Sequence, residues 1–168
     1  MKNREDALIR KMIDYCKEAE DAIKLFKADE LILQQNPIFR NAACMPIMQI
    51  GELCKLVSDE FRSVHSQIDW RGWCGVRDIM AHQYTELDNK KTWQVLSVDL
   101  PALKDQLSVI LKQLDEDAIE RIKEIIDKNE IKNISEYDAF HRIVDGTGIS
   151  INAFSDEKLL EFLKTISK

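Results

Sequence analysis

Leu8, Ile9, Met12, Ile13, Cys16, Ala19, Ile23 and Phe26 recur at intervals of three and four residues, with charged residues between them. That period is helical, so the chain from Asn3 to about Ala28 reads as one amphipathic helix. Gln34-Gln35-Asn36-Pro37 interrupts the pattern, and a second helix is expected from about Ile38 to Arg62, bent where Pro46 removes an internal hydrogen bond. Gly51 inside that helix costs up to ~1 kcal/mol against Ala, which a close approach by another segment, such as the one bearing Arg77, would justify. Asp69 is a good N-cap for a third helix that carries Trp70, Trp73, Cys74, Val76 and Ile79 and ends near His82 to Tyr84.

Glu86 to Lys91 reads as a polar loop, followed by a short helix from Thr92 to Val98. Asp99 then caps a further helix that holds Pro101 in its first turn, where proline is tolerated, and reaches Leu114. Beyond Asp115 the character changes: Ala118, Ile119, Ile122, Ile125 and Ile126 continue as a charged amphipathic helix. Tyr137, Phe140, Ile143 and Val144 suggest another, stopped by Gly146-Thr147-Gly148, and Ser155-Asp156-Glu157 opens a last one with Leu159, Leu160, Phe162, Leu163 and Ile166. The pattern predicts an all-α protein: an antiparallel helical bundle over residues 1–115 and a small helical C-terminal extension over 116–168. A packing or docking role fits the extension better than chemistry.

Composition agrees with helices: 5 glycines, 3 prolines and 32% charged residues in a chain of 168, with 45% apolar residues to build a core. No run of about 18 apolar residues and no signal-like segment after Met1-Lys2-Asn3 occur, so a cytoplasmic protein without membrane attachment is expected. Cys16, Cys44, Cys54 and Cys74 form no CxxC pair and read as core thiols, while His65 and His141 stand apart from any cluster, so neither a metal nor a cofactor is expected. Net charge is −6, divided as 16 basic against 18 acidic residues up to 115 and 8 against 12 after it. Such a balance argues against broad, sequence-blind nucleic-acid binding, but the near-neutral first part leaves room for a local positive cleft.

Arg77-Asp78-Ile79-Met80-Ala81-His82-Gln83-Tyr84 concentrates the chemistry. An arginine fork holds phosphate oxygens bidentately, and histidine moves protons near neutrality, a pairing suited to phosphodiester cleavage without metal. Asp78 and His82, at i and i+4, share a helix face, so the carboxylate is placed to orient the imidazole. Arg77 and His82 point about 140° apart at about 100° per residue. They meet at one phosphate only through the long arginine stem, a helix break near Ala81, or a second copy of the chain. Trp70 and Trp73 exceed what one face of a lone helix need bury, which also points to an isologous homodimer. Glu52 is placed to salt-bridge Arg77 if its turn packs on the motif helix.

These residues resemble the signature of the HEPN superfamily. Gln49-Ile50-Gly51-Glu52, Asp69-Trp70, and Trp93 followed by Asp99-Leu100-Pro101-Ala102-Leu103 narrow the resemblance to its HepT-like branch, over roughly Lys2 to Leu114. The resemblance implies a homodimeric, metal-independent endoribonuclease acting as the toxin of a toxin-antitoxin pair. By the same resemblance Arg77 and His82 are catalytic, and Tyr84 is AMPylated by the cognate antitoxin, a minimal nucleotidyltransferase. Asp78 departs from the asparagine most frequent at its position and adds negative charge beside a phosphate site. The alternative from another class is a non-catalytic helical module that pairs with the nucleotidyltransferase.

Overall fold

The computed structural model describes residues 2–82, 88–147 and 150–167, with backbone alone for 2, 3, 81, 82 and 146. Among the described residues it is all-α, with no strand. Two compact units divide the chain: residues 8–109 form one, and residues 1–7 with 110–168 form the other. Helices α1 (Lys2–Phe26) and α7 (Leu100–Lys128) each contribute residues to both.

In the 8–109 unit the predicted period places the core where expected. Ile9, Met12, Cys16 and Ala19 of α1 are fully buried, and so are Phe39, Ala43, Ile47, Ile50 and Cys54 of α3 (Pro37–Leu56), which runs unbroken through Pro46. Cys44 is buried as well, and burial pushes the Cys16 and Cys54 thiols up to about 12 and Cys44 to about 11. Cys74 is half-buried, and all four cysteines are free.

The second helix expected from Ile38 to Arg62 proves to be two elements, α3 and a short helix after it, and a further short helix precedes them. Asp29 starts α2 (Glu30–Gln35) by accepting from the Ile32 N–H at 2.8 Å, and Asn36 ends α2 and caps α3. Ser58 then accepts from the Phe61 N–H at 3.3 Å and opens α4 (Asp59–Val64). A serine followed by Asp59 and Glu60 is a helix-start signal, and a hydroxyl that satisfies an orphan N–H outcompetes continuation of α3.

Asp69 caps α5 (Trp70–His82) as the sequence indicates, accepting from the Gly72 N–H at 2.8 Å. Trp70, Trp73 and Met80 form its buried stripe, and Trp70 donates its indole N–H to the His65 carbonyl at 3.0 Å. The two tryptophans, 5% and 8% exposed, are therefore buried within one chain.

Of the polar loop expected at 86–91, residues 86 and 87 lie outside the described residues and residues 89–91 are helical. Asp88 accepts from the Lys91 N–H at 3.1 Å and opens α6 (Asn89–Gln94), so Lys90 and Lys91 are helical. Asp99 is not a cap either: Val95–Asp99 forms a π-helical turn that leads into α7, with the Leu100 N–H bonded to the Val95 carbonyl. Pro101 explains the widening. It has no N–H for the Ser97 carbonyl four residues back and its ring needs room there, which a wider turn provides. Lys104 of α7 reaches Glu20 of α1, 2.5 Å away.

In the other unit α7 continues past residue 115 without interruption. No glycine or proline lies between Asp115 and Lys128, so the helix keeps propagating while its exposed face becomes more acidic. Ala118, Ile122, Ile125 and Ile126 of α7 pack with Ala139, Phe140 and Ile143 of α8 (Glu136–Thr147) and Leu159 and Leu163 of α9 (Asp156–Ile166). Ser155 caps α9, Arg121 pairs with Asp156 at 2.5 Å and donates to the Phe154 carbonyl at 2.8 Å, and Ser150 hydrogen-bonds Asp6.

Candidate active site

The candidate site lies along the seam where α3 packs on α5. Gly51 makes that seam possible. A Cβ built there would collide with Arg77 Cβ and lie 2.8 Å from the Trp73 carbonyl oxygen, so only a residue without a side chain lets the two helices approach so closely. The close approach expected from the glycine is thus found, and the segment it meets is the one bearing Arg77.

One turn of α3 beyond this contact faces one turn of α5. Glu52 Oε1 pairs with Arg77 Nε, and both atoms are withdrawn from solvent. Arg77 Nη1 donates to Asp78 Oδ1 at 3.0 Å. Lys55, which no motif in the sequence marks, donates to the same Asp78 oxygen at 2.6 Å and lies 3.5 Å from Glu52 Oε1. Two cations and two anions therefore alternate, and each carboxylate offers one oxygen to both cations. The signal for Lys55 was its place three residues after Glu52, which puts both on one face of α3.

Electrostatics follow from these contacts. The Lys55 hydrogen bond first, then that from Arg77, holds the Asp78 carboxyl below its usual range, and Asp78 in turn raises Lys55. Arg77 is the least exposed of the four side chains at 27%, against 36% for Lys55, 44% for Glu52 and 52% for Asp78. Arginine stays charged under these conditions, so the cluster holds a permanent cation at a partly open helix seam.

His82 is placed by its backbone at the last position of α5, five residues from Arg77 on a helix without a break, which removes a helix break near Ala81 as the way to bring the two together. Its side chain, and Tyr84 altogether, lie outside the described residues. The structure thus brings Arg77, Asp78 and Glu52 together, adds Lys55, and fixes the starting point of His82. A cavity of about 390 Å³ between Trp73, Val76, Val95 and Leu103 is lined by none of Glu52, Lys55, Arg77 and Asp78. Among the described residues no group of three or more His, Cys, Asp or Glu side chains could hold a metal ion.

The family described as ribonuclease HepT-like has a model that matches residues 12–110, a span that includes Gly51, Glu52, Lys55, Arg77, Asp78 and His82. The chain belongs to this family. Similar proteins include a Methanocaldococcus jannaschii protein named "Gamma-glutamylcyclotransferase and putative RNase", 34% identical over 45% of this chain and 34% of its own length. The chain thus spans about a third of that relative. A second protein of the same organism, likewise named an RNase of that provisional kind, is 25% identical over 59% of this chain and 92% of its own. The "Probable ribonuclease HepT" of Thermococcus cleftensis is 26% identical over 59% of this chain and 94% of its own. No solved structure matches the chain. The HepT-like match ends at residue 110, where the first compact unit also ends at 109.

Proposed function

We propose that the chain is a metal-independent endoribonuclease in which Arg77 and His82 act on one phosphodiester of RNA. In this scheme His82 removes the proton of the 2′-hydroxyl or protonates the leaving 5′-oxygen as the 2′-oxygen attacks phosphorus, and Arg77 stabilises the charge that develops on the phosphate. Glu52 holds the guanidinium in place. Asp78, one turn before His82, is placed to orient the imidazole. The observation that carries the reading is the Arg77–Glu52 pair at a glycine-closed seam, in a chain of the HepT-like ribonuclease family.

The 140° between Arg77 and His82 on a continuous helix supports a homodimer in which two seams line one cleft. The tryptophans no longer contribute to that argument. We further propose that RNA cleavage makes the chain a toxin, paired with a minimal nucleotidyltransferase as antitoxin, and that AMPylation of Tyr84 silences it. An AMP there adds bulk and a negative phosphodiester where the substrate phosphate must sit. Replacement of His82 by Ala is expected to abolish cleavage of purified RNA in EDTA while the thermal melt is unchanged; equal cleavage by the variant refutes the assignment.

A second reading, a non-catalytic module that engages the nucleotidyltransferase, draws on the two carboxylates that already occupy Arg77. RNA cleavage that survives chelator excludes it, and absence of cleavage with any RNA favours it.

A further inference from the structure

Arg77 enters the proposed chemistry already paired with two carboxylates, Glu52 and Asp78, and a phosphodiester would have to draw it away from them. What happens to Glu52 and Asp78 at that moment is decided by a third residue. We propose that Lys55 is a positioning residue that takes over the two carboxylates when Arg77 turns to a phosphate group. The inference rests on the reading of Arg77 as the phosphate-binding cation.

Three observations point this way. Lys55 already shares with Arg77 the same oxygen of Asp78, at 2.6 Å against 3.0 Å, and the same oxygen of Glu52, so no rearrangement of the backbone is needed for it to hold both. Its ammonium carries three donors on a flexible four-carbon stem, whereas the guanidinium fork is rigid and matches a planar or tetrahedral oxyanion. Charge then decides. The four side chains sum to zero, and a phosphodiester brings one further negative charge. With Lys55 present the loaded site carries a net single negative charge; without it the two carboxylates would oppose the substrate with only Arg77 to offset them. Lys55 acts through its neighbours and touches no substrate.

The test uses four variants of the full chain: K55M, K55R, K55M/D78N and R77A. Two readouts are taken at fixed ionic strength: affinity for a mixed-sequence 2′-O-methyl RNA oligonucleotide, which lacks the attacking hydroxyl, and cleavage of the unmodified RNA. K55M is expected to lose about tenfold in affinity and in kcat/KM. K55R is expected to keep most of both, and D78N in the K55M background to recover most of the lost affinity, because it removes the carboxylate left without its lysine. A lysine that merely braces α3 would not be rescued by a change on α5. Lys55 is partly exposed, so K55M is expected to fold; should its melt fall, K55Q with and without D78N carries the same comparison. R77A below wild type with K55M equal to wild type overturns the inference and leaves the site reading intact, as does failure of D78N to restore affinity. R77A equal to wild type overturns the site reading, and the inference falls with it.

Discussion

Gly51 is the position where an added methyl group should do the most harm for its size. Alanine gains helix propensity over glycine, up to ~1 kcal/mol, but its Cβ would lie 2.8 Å from the Trp73 carbonyl, a backbone atom that cannot swing aside. G51A is therefore expected to destabilise the chain by about 1–3 kcal/mol in urea unfolding, and stability equal to or above wild type would show that the seam has slack. Protons provide a second residue-scale test. Asp78 is held below its ordinary 3.8, so its contribution is present above that value and lost as pH falls through the lower folded value; Lys55 is raised above 10.5, so its contribution is present below that and lost as pH rises through the higher one. The melting-temperature gap between wild type and D78N is expected to be constant through neutral pH and to close below about pH 4; a gap that widens in acid contradicts the assignment. Sequence carried the Glu52–Arg77 pair because the glycine beside Glu52 required a close neighbour. It did not carry Lys55, because a surface lysine three residues from a glutamate is an ordinary helix pair until the second helix is seen to complete it.

At the scale of elements, apolar period located the long helices and missed α2 and the separate start of α4. α2 and α4 are only six residues each, too few for a period to declare itself, and their boundaries come instead from the side chains of Asp29 and Ser58. Capping is a local event and should respond locally. Asp69→Ala removes the oxygen that meets the Gly72 N–H and is expected to cost ~1 kcal/mol, seen as a lower urea midpoint at unchanged slope. No change in midpoint would mean that water serves the N-terminus of α5 equally well. The π turn over Val95–Asp99 could not be read from Asp99, which looks like a cap before Pro101; the missing N–H of the proline was the better clue.

For the whole molecule, the two compact units rest on different arguments. That of residues 8–109 coincides closely with the HepT-like match, while the core of the other is built from Ile122, Ile143, Leu159 and their neighbours with no counterpart in that match. Ile122 is fully buried, and Ile122→Ala is expected to cost 2–5 kcal/mol by chemical denaturation; a cost near zero would mean that this core is loosely packed. No helix among the described residues is long and apolar enough to cross a membrane. Light scattering at micromolar concentration checks the proposed homodimer, and a monomer there would remove the composite cleft.

The buried thiols give the seam a clock. Cys54 lies on α3 one turn from Gly51 with no exposed surface, and its raised pKa leaves almost no thiolate at neutral pH, so an alkylating reagent reaches it only when the helix pair parts. Cys74, half-buried on α5, sits at the edge of the same event. Mass spectrometry of the native protein during slow alkylation therefore times the breathing of α3 against α5 without any engineered label, with Cys74 modified first and Cys54 waiting on the rarer, wider opening.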